Sequence, residues 1–462
     1  MKALRLIVVI LFFAIIIAPI AAFNFQEDAI SLIDNRNLTA NPFTSDGDFT
    51  NNIQNYVNDR IGFRDDMILA YTVLNDKLFK KMVHPSYIYG TDGYVFGAGL
   101  TVNNPYTEFH ETYADMVKQI QDYCDSRGVP FLFVFNPAKP AVLTEYLPKG
   151  MNYDRTWVDL FFSALDERHV RYIDNTLLLQ EKTRLGETVF NQKYDANHWN
   201  DLGAYYGTYA MLQELQKRIP EIHLTEKNEM TISETLMTSL PVSEFPIHEM
   251  VPSISIDMNL DFTNSSLYGE QLELHPSFRS FGYYMNKERI ESGAPKALVF
   301  QGSYMNGFGY KYLANAFGEY IYVHDYQNVI DFSYYFNIFQ PDCVIFEVAE
   351  YTFTNNYFDY EAMKAMKLNP TLQSIESEPI VEQETLLDSE SILVDKGDIL
   401  TKILWRCSES PEYVWFVQDI AYDMKKTEEG YEVTLTTEAY ENCDEVFKIV
   451  TWDGNNCTRY VH

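Results

Sequence analysis

The chain has 462 residues, 46% apolar, 15% aromatic and 22% charged, which is enough apolar material for two or three packed domains and excludes a disordered polypeptide. Its 66 acidic residues against 35 basic ones leave a net charge of −31. That balance excludes a partner held through its phosphates, and so nucleic acid.

Lys2 and Arg5 precede an uncharged run from Leu6 to Ala22, which as a helix would be about 26 Å long, close to the thickness of a bilayer core. The basic flank orients the rest of the chain outside the cytoplasm. Cleavage after Ala22 would put Ile20 at the −3 position, and cleavage after Ala21 would put Pro19 there. Neither is the small residue a signal peptidase requires, so residues 1–23 read as a retained membrane anchor, with a secreted protein as the outcome if they are cleaved. Five cysteines are few for an exported chain. Cys124 and Cys343 fall in apolar runs and read as buried thiols, whereas Cys407, Cys443 and Cys457 could form one disulfide. No CxxC, HExxH or clustered histidine spacing occurs, so neither a protein-built metal site nor a cofactor is expected.

Residues 24–104 read as a stalk, an entry helix and a hairpin across Tyr89 to Gly97. The next unit, 105–370, has a βαβ rhythm. Phe109, Tyr113, Met116, Ile120 and Tyr123 lie on one face of a helix stopped at Gly128. Val129 to Phe135 is a continuous apolar run, hence a buried strand. Trp157 to Leu165 and Val170 to Ile173 repeat the pair. The rhythm stops between about 225 and 290, which reads as an insertion, and resumes with strands at Ala297–Phe300, Tyr320–Val323 and Cys343–Val348. The expected fold is therefore α/β: a parallel sheet with helices on both faces, in two separated halves. From 371 to 462, alternation in segments such as Tyr413 to Val417 and Tyr431 to Thr436 predicts a small antiparallel β domain. Its 20 acidic and 7 basic residues carry −13 of the net charge.

In such a sheet, ligands bind beyond the carboxyl ends of the strands. One polar segment there is Tyr194 to Gly203, in which the Asp195 carboxylate can accept the Nδ1 proton of His198 and leave Nε2 free as a base. A second is Gln301-Gly-Ser-Tyr-Met-Asn-Gly307, where Ser303 follows a buried strand and precedes a helix. Its own N–H, the Asn306 side chain and the turn at Gly307 are candidate oxyanion and substrate contacts. Alone, each segment is explained as well by helix capping. Together they supply the nucleophile, base and orienting carboxylate of acyl transfer. A phosphate loop built on Gly302, Gly307 and Gly309 fails, because Tyr312 stands where a third glycine is needed.

These segments, with Asp59-Arg-Ile-Gly-Phe-Arg64, Gly90 to Phe96, Asn136-Pro-Ala-Lys-Pro140 and Pro341 to Glu350, resemble the SGNH-hydrolase-like proteins of the alginate O-acetyltransferase type, the DHHW family. The resemblance spans about residues 33–355 and implies a circularly permuted SGNH-like fold. It also implies a membrane-anchored, extracytoplasmic enzyme that moves acetyl groups onto an exported polysaccharide, with the donor supplied by a membrane-bound O-acyltransferase. The family's serine, histidine and aspartate would fall on Ser303, His198 and Asp195. The chain departs from the family in the longer Asp-x-x-His spacing, in Gly302 where an aspartate is usual, and in Tyr351 where an arginine often stands. One alternative is an acetylesterase of the same fold, in which water and not sugar resolves the acetyl-serine; the other, favoured by the first two departures, is a polysaccharide-binding assembly protein with a degenerate site.

Overall fold

The computed structural model describes residues 2–26, 29–31, 36–43, 48–79, 81–82, 86–99, 104–240, 245–376, 381–442 and 447–461. Lys2–Ala21 is one helix, and its window Leu4–Ala21 is long and apolar enough to cross a membrane and has no buried residue among those described. It ends on the loop after the helix Phe49–Arg60: Gly62 N–H donates to the Pro19 carbonyl at 2.9 Å, and Asn24 N–H to the Arg60 carbonyl at 2.8 Å. A β-carbon on Gly62 would stand 2.5 Å from the Ala22 side chain, so this close approach requires glycine. The buried Arg60 guanidinium donates to the carbonyls of Thr39, Asn24 and Gln26.

The central sheet has seven strands: β1 (Phe131–Asn136), β2 (Tyr172–Asp174), β3 (Leu260–Asp261), β4 (Phe281–Asn286), β5 (Lys296–Gln301), β6 (Glu319–His324) and β7 (Cys343–Ala349). Their order is β2-β1-β7-β5-β6-β4-β3. The first five in that order are parallel, and β4 and β3 extend the edge antiparallel. Alternating side chains divide between two cores. Phe131, Phe133, Phe135, Phe300 and Phe346 pack under helices α1 (Glu108–Ser126), α2 (Thr156–Glu167) and a later helix, Phe332–Phe339. Leu132, Val134, Val299 and Ile345 face α3 (Asp201–Gln216) and α4 (Tyr310–Ala316). Helices on both faces of a parallel sheet are what the βαβ rhythm predicts.

The reading of 225–290 needs correction. The stretch does hold an inserted hairpin, Met230–Ser239 against Pro246–Ile256, but β3 and β4 also lie within it and belong to the main sheet. The sheet is therefore mixed rather than purely parallel. Most of the hairpin is solvent-exposed, and β4 finds its partner far away in β6, so no local apolar period marks either.

After residue 380 the chain forms two further sheets, Leu400–Trp405 pairing antiparallel with Tyr431–Thr436 in one and Tyr413–Val417 with Lys448–Trp452 in the other. Trp405 and Trp415 are buried among them. This unit docks on the helix Phe332–Phe339, where Asn337 donates to the Asp423 carbonyl at 2.9 Å, and Arg127 pairs with the Asp423 carboxylate at 3.2 Å. Cys124 and Cys343 are buried thiols. Cys443, one of the three cysteines of the expected disulfide, lies outside the described residues.

Candidate active site

The carboxyl ends of β5 and β6 lie level, because Gln301 pairs with His324, and those of β7 and β1 lie level with each other two residues further on, where Ala349 pairs with Asn136. Ser303 follows β5 directly. Its Oγ lies 2.8 Å from His198 Nε2 and 2.8 Å from the Tyr351 hydroxyl. His198 Nδ1 lies 2.9 Å from Asp195 Oδ1. The carboxylate can only accept there, so Nδ1 carries the proton, and Nε2 is left as an acceptor for the serine hydroxyl.

Asp195 adopts a left-handed backbone (φ 55°), which turns its carboxylate back over the next three residues. Oδ1 then also accepts the N–H groups of Asn197 at 3.2 Å and His198 at 3.0 Å. This is how an Asp-x-x-His spacing brings carboxylate and ring together. Burial raises the Asp195 carboxyl, but the hydrogen bond and charge of His198 and the two backbone donors outweigh it, and the group is held below the ordinary carboxylate range.

The histidine loop is fastened at three points. Trp199 is fully buried and its indole N–H donates to the Tyr304 carbonyl at 3.1 Å, joining this loop to the serine turn. Lys139, buried under Phe96, donates to the carbonyls of Val95, Gln192 and Asp195 at 2.8, 3.3 and 3.4 Å. Glu249, from the inserted hairpin, accepts the N–H groups of Gln192, Lys193 and Tyr194 at 2.6 to 2.9 Å.

Beneath Ser303 lie two fully buried carboxyls. Glu347 accepts from Gly302 N–H at 2.9 Å and from the Asn136 amide at 2.7 Å. Asp325 faces the bare Gly302 α-carbon, where an added β-carbon would sit 3.4 Å from its Oδ1. Neither Asp325 oxygen has a well-directed hydrogen bond among the described residues, although His324 Nδ1 is 3.1 Å away. Burial raises both groups. Glu347, further repelled by Asp325, is pushed up to about 8 from 4.5. A carboxyl that stays protonated in the fold while the unfolded chain ionises stabilises fully below about 4.5, and this contribution is lost as pH rises through about 8. Thermal melts of wild type and Glu347→Gln across that window are expected to diverge, the wild type losing on the order of 5 kcal/mol more than the variant. Parallel curves would refute a raised Glu347.

Of the sequence-derived candidates, Ser303, His198 and Asp195 are in mutual contact, whereas Asn306 and Gly307 stand apart. Asn306 accepts from Gln301 Nε2 at 2.7 Å and its amide reaches Ser280 Oγ at 3.5 Å. Gly307 is exposed. The turn from Gly302 to Asn306 is an ordinary α turn, Asn306 N–H donating to the Gly302 carbonyl at 3.1 Å, and a π-helical turn, Met305–Gly309, follows it. Tyr351 is the contact the sequence reading missed as such. It sits two residues past β7, a position the strand-end rule covers. A cleft of about 860 Å³ opens beside it, lined by Asn197, Lys139, His110, Phe353 and Tyr357 among others.

Residues 88–241 match the family model described as "SGNH hydrolase-like domain, acetyltransferase AlgX". The matched segment contains Asp195 and His198, and Ser303 lies beyond its end. No curated protein matches the chain in sequence. Among solved structures, the O-acetyltransferase domain of Pseudomonas putida AlgJ is 15% identical, covering 61% of this chain and 98% of its own, with a TM-score of 0.42. A DHHW family protein from Eubacterium siraeum is 14% identical over 63% of this chain and 98% of its own (TM-score 0.42). Bacillus cereus PatB1 is 14% identical over 61% of this chain and 100% of its own (TM-score 0.46). The likeness to an SGNH-hydrolase-like acetyltransferase domain thus rests on residues 88–241, a third of the chain.

Proposed function

We propose that this protein is an extracytoplasmic O-acetyltransferase that acetylates a cell-surface polysaccharide through an acetyl-serine, held to the membrane by its N-terminal helix. The observation that carries the reading is the 2.8 Å contact of Ser303 Oγ with a histidine whose other nitrogen is fixed on Asp195. His198 Nε2 takes the serine proton as Oγ bonds to the donor's acetyl carbon. It then returns that proton to the leaving group as the donor's ester bond breaks. In the second half, a glycan hydroxyl gives its proton to His198 and attacks the acetyl-serine, and Ser303 leaves with that proton.

The oxyanion meets the Ser303 N–H, which as part of a first helical turn has no intrahelical acceptor. Tyr351 keeps Oγ aimed. Burial pushes its phenol up, so it remains a neutral donor. The donor is expected from a multi-span membrane acyltransferase acting beside it, and the exposed apolar helix Leu4–Ala21 supports placing the site at the membrane surface.

The test is incubation of the full-length protein in detergent with an activated acetyl ester, followed by peptide mass spectrometry with and without an oligosaccharide acceptor. An acetyl group on Ser303 that moves to the sugar supports transfer. Release of acetate at one rate with or without sugar identifies an esterase. No serine-dependent turnover overturns the proposal.

A further inference from the structure

A second hollow, of about 640 Å³, lies on the other side of the serine turn, between the antiparallel edge of the sheet and the inserted segment. Its lining includes the rings of Phe262, Tyr284, Tyr310 and Tyr322 and the amides of Asn259 and Asn306. Tyr284 and Tyr322 lie nearly parallel, 19° apart with centroids 6.2 Å apart, and Tyr310 is 6.4 Å from Tyr284 at 30°. Both β-strand tyrosines rest against Gly282, a position without a side chain. A β-carbon on Gly282 would stand 2.3 Å from the Tyr322 ring and 3.0 Å from that of Tyr284. Behind them, the buried Tyr320 ring stacks on Tyr284 at 16°. The rings are thus supported from behind and partly exposed on the hollow side.

Among the described residues none that lines this hollow is charged, in a chain of net −31. Flat aromatic faces flanked by amides, with no ionic group, suit a ligand that presents C–H faces and hydroxyls together, and its volume is that of a small-molecule site. A charged polymer segment would find no counter-ion there. The hollow also adjoins the chemistry, because Asn306 stands one turn after Ser303 and is hydrogen-bonded to Gln301, two residues before it.

We infer that this aromatic hollow binds uncharged sugar rings of the acceptor polysaccharide and presents a hydroxyl toward Ser303. The inference rests on the transferase reading for its purpose, but its binding can be measured apart from turnover. Saturation-transfer NMR on full-length Ser303→Ala protein with a neutral β-glucan tetrasaccharide and an oligouronate is expected to show contact with the neutral sugar, lost in Tyr322→Ala and retained in Tyr322→Phe. In the active protein, Tyr322→Ala and Tyr310→Ala are expected to raise the acceptor KM roughly tenfold. Acetate release from an activated ester without acceptor should be unchanged, which also reports an intact fold. No neutral-sugar signal with Ser303→Ala, or signals that survive both alanine substitutions, overturns the site. A loss of serine-dependent turnover with sugar binding intact would count against the transferase reading alone.

Discussion

Ser303→Ala is expected to lower acetyl transfer at least a thousandfold, and Asp195→Asn to come close to it. The first removes the atom that carries the acetyl group. The second leaves the shape intact but changes what Nδ1 meets. Asp195 Oδ1 now collects the ring proton and two backbone N–H groups. An asparagine oxygen that keeps the two backbone donors turns its NH₂ toward Nδ1, and the ring answers by moving its proton to Nε2. That nitrogen then faces Ser303 Oγ as a donor and cannot accept the serine proton. The combined variant should be no slower than Ser303→Ala, because both changes disable one unit. Initial rates with an activated ester, measured for the two singles and the double, check this. Multiplying losses in the double would show that the residues act independently and would sink the triad.

Trp199→Ala is expected to cost about 3–5 kcal/mol, the usual range for removing a large buried aromatic. The indole fills a slot that α3 leaves open. A β-carbon on Gly207 would be 2.4 Å from its ring, and one on Gly203 would be 2.9 Å from its β-carbon. Two neighbouring glycines cannot close in on the void, so the cavity should persist. Trp199→Phe keeps part of the ring but loses the indole hydrogen bond to the Tyr304 carbonyl, which costs about 0.5–1.5 kcal/mol. Urea unfolding gives the stabilities. Rates at low temperature, where both variants remain folded, give the second effect: kcat should fall in both, because the clasp between histidine loop and serine turn is gone. A phenylalanine variant equal to wild type in both measurements would remove Trp199 from the positioning machinery.

The parallel core was legible because a strand buried on both faces is a continuous apolar run, as at Phe131–Asn136 and Cys343–Ala349, and needs no distant information. The contact of Asp195, His198 and Ser303 was legible for a related reason: Ser303 follows a strand that the runs define, and Asp195 and His198 lie in the polar loop that precedes α3. The rest depends on contacts between remote segments. β4 pairs with β6 across some forty residues, and Glu249 reaches the histidine loop from an exposed hairpin without apolar periodicity. Asn306 turns its side chain to Gln301 and to the remote Ser280, and the serine turn runs on into a single widened turn. Gly309 permits that turn, since a β-carbon there would meet the Met305 sulfur at 2.2 Å. Nothing in a Gly-x-Gly spacing distinguishes that from an ordinary α-helical start. Asp325 illustrates the same limit. Its carboxyl occupies space beside Gly302 that a side chain at 302 would claim, a relation visible only once two strands lie side by side.

The contact between Gly62 and the end of the N-terminal helix has a mechanical meaning. Arg60 gathers three carbonyls of the segment that follows the helix, and the Gly62 N–H holds Pro19 itself. With that helix seated in a bilayer, the body stands on a stiff mast and not on a flexible leash. On the proposed reading of an anchored transferase, the site would be held in a thin layer at constant altitude above the lipid. The spacing of acetyl marks would then be set by how the glycan is threaded past it.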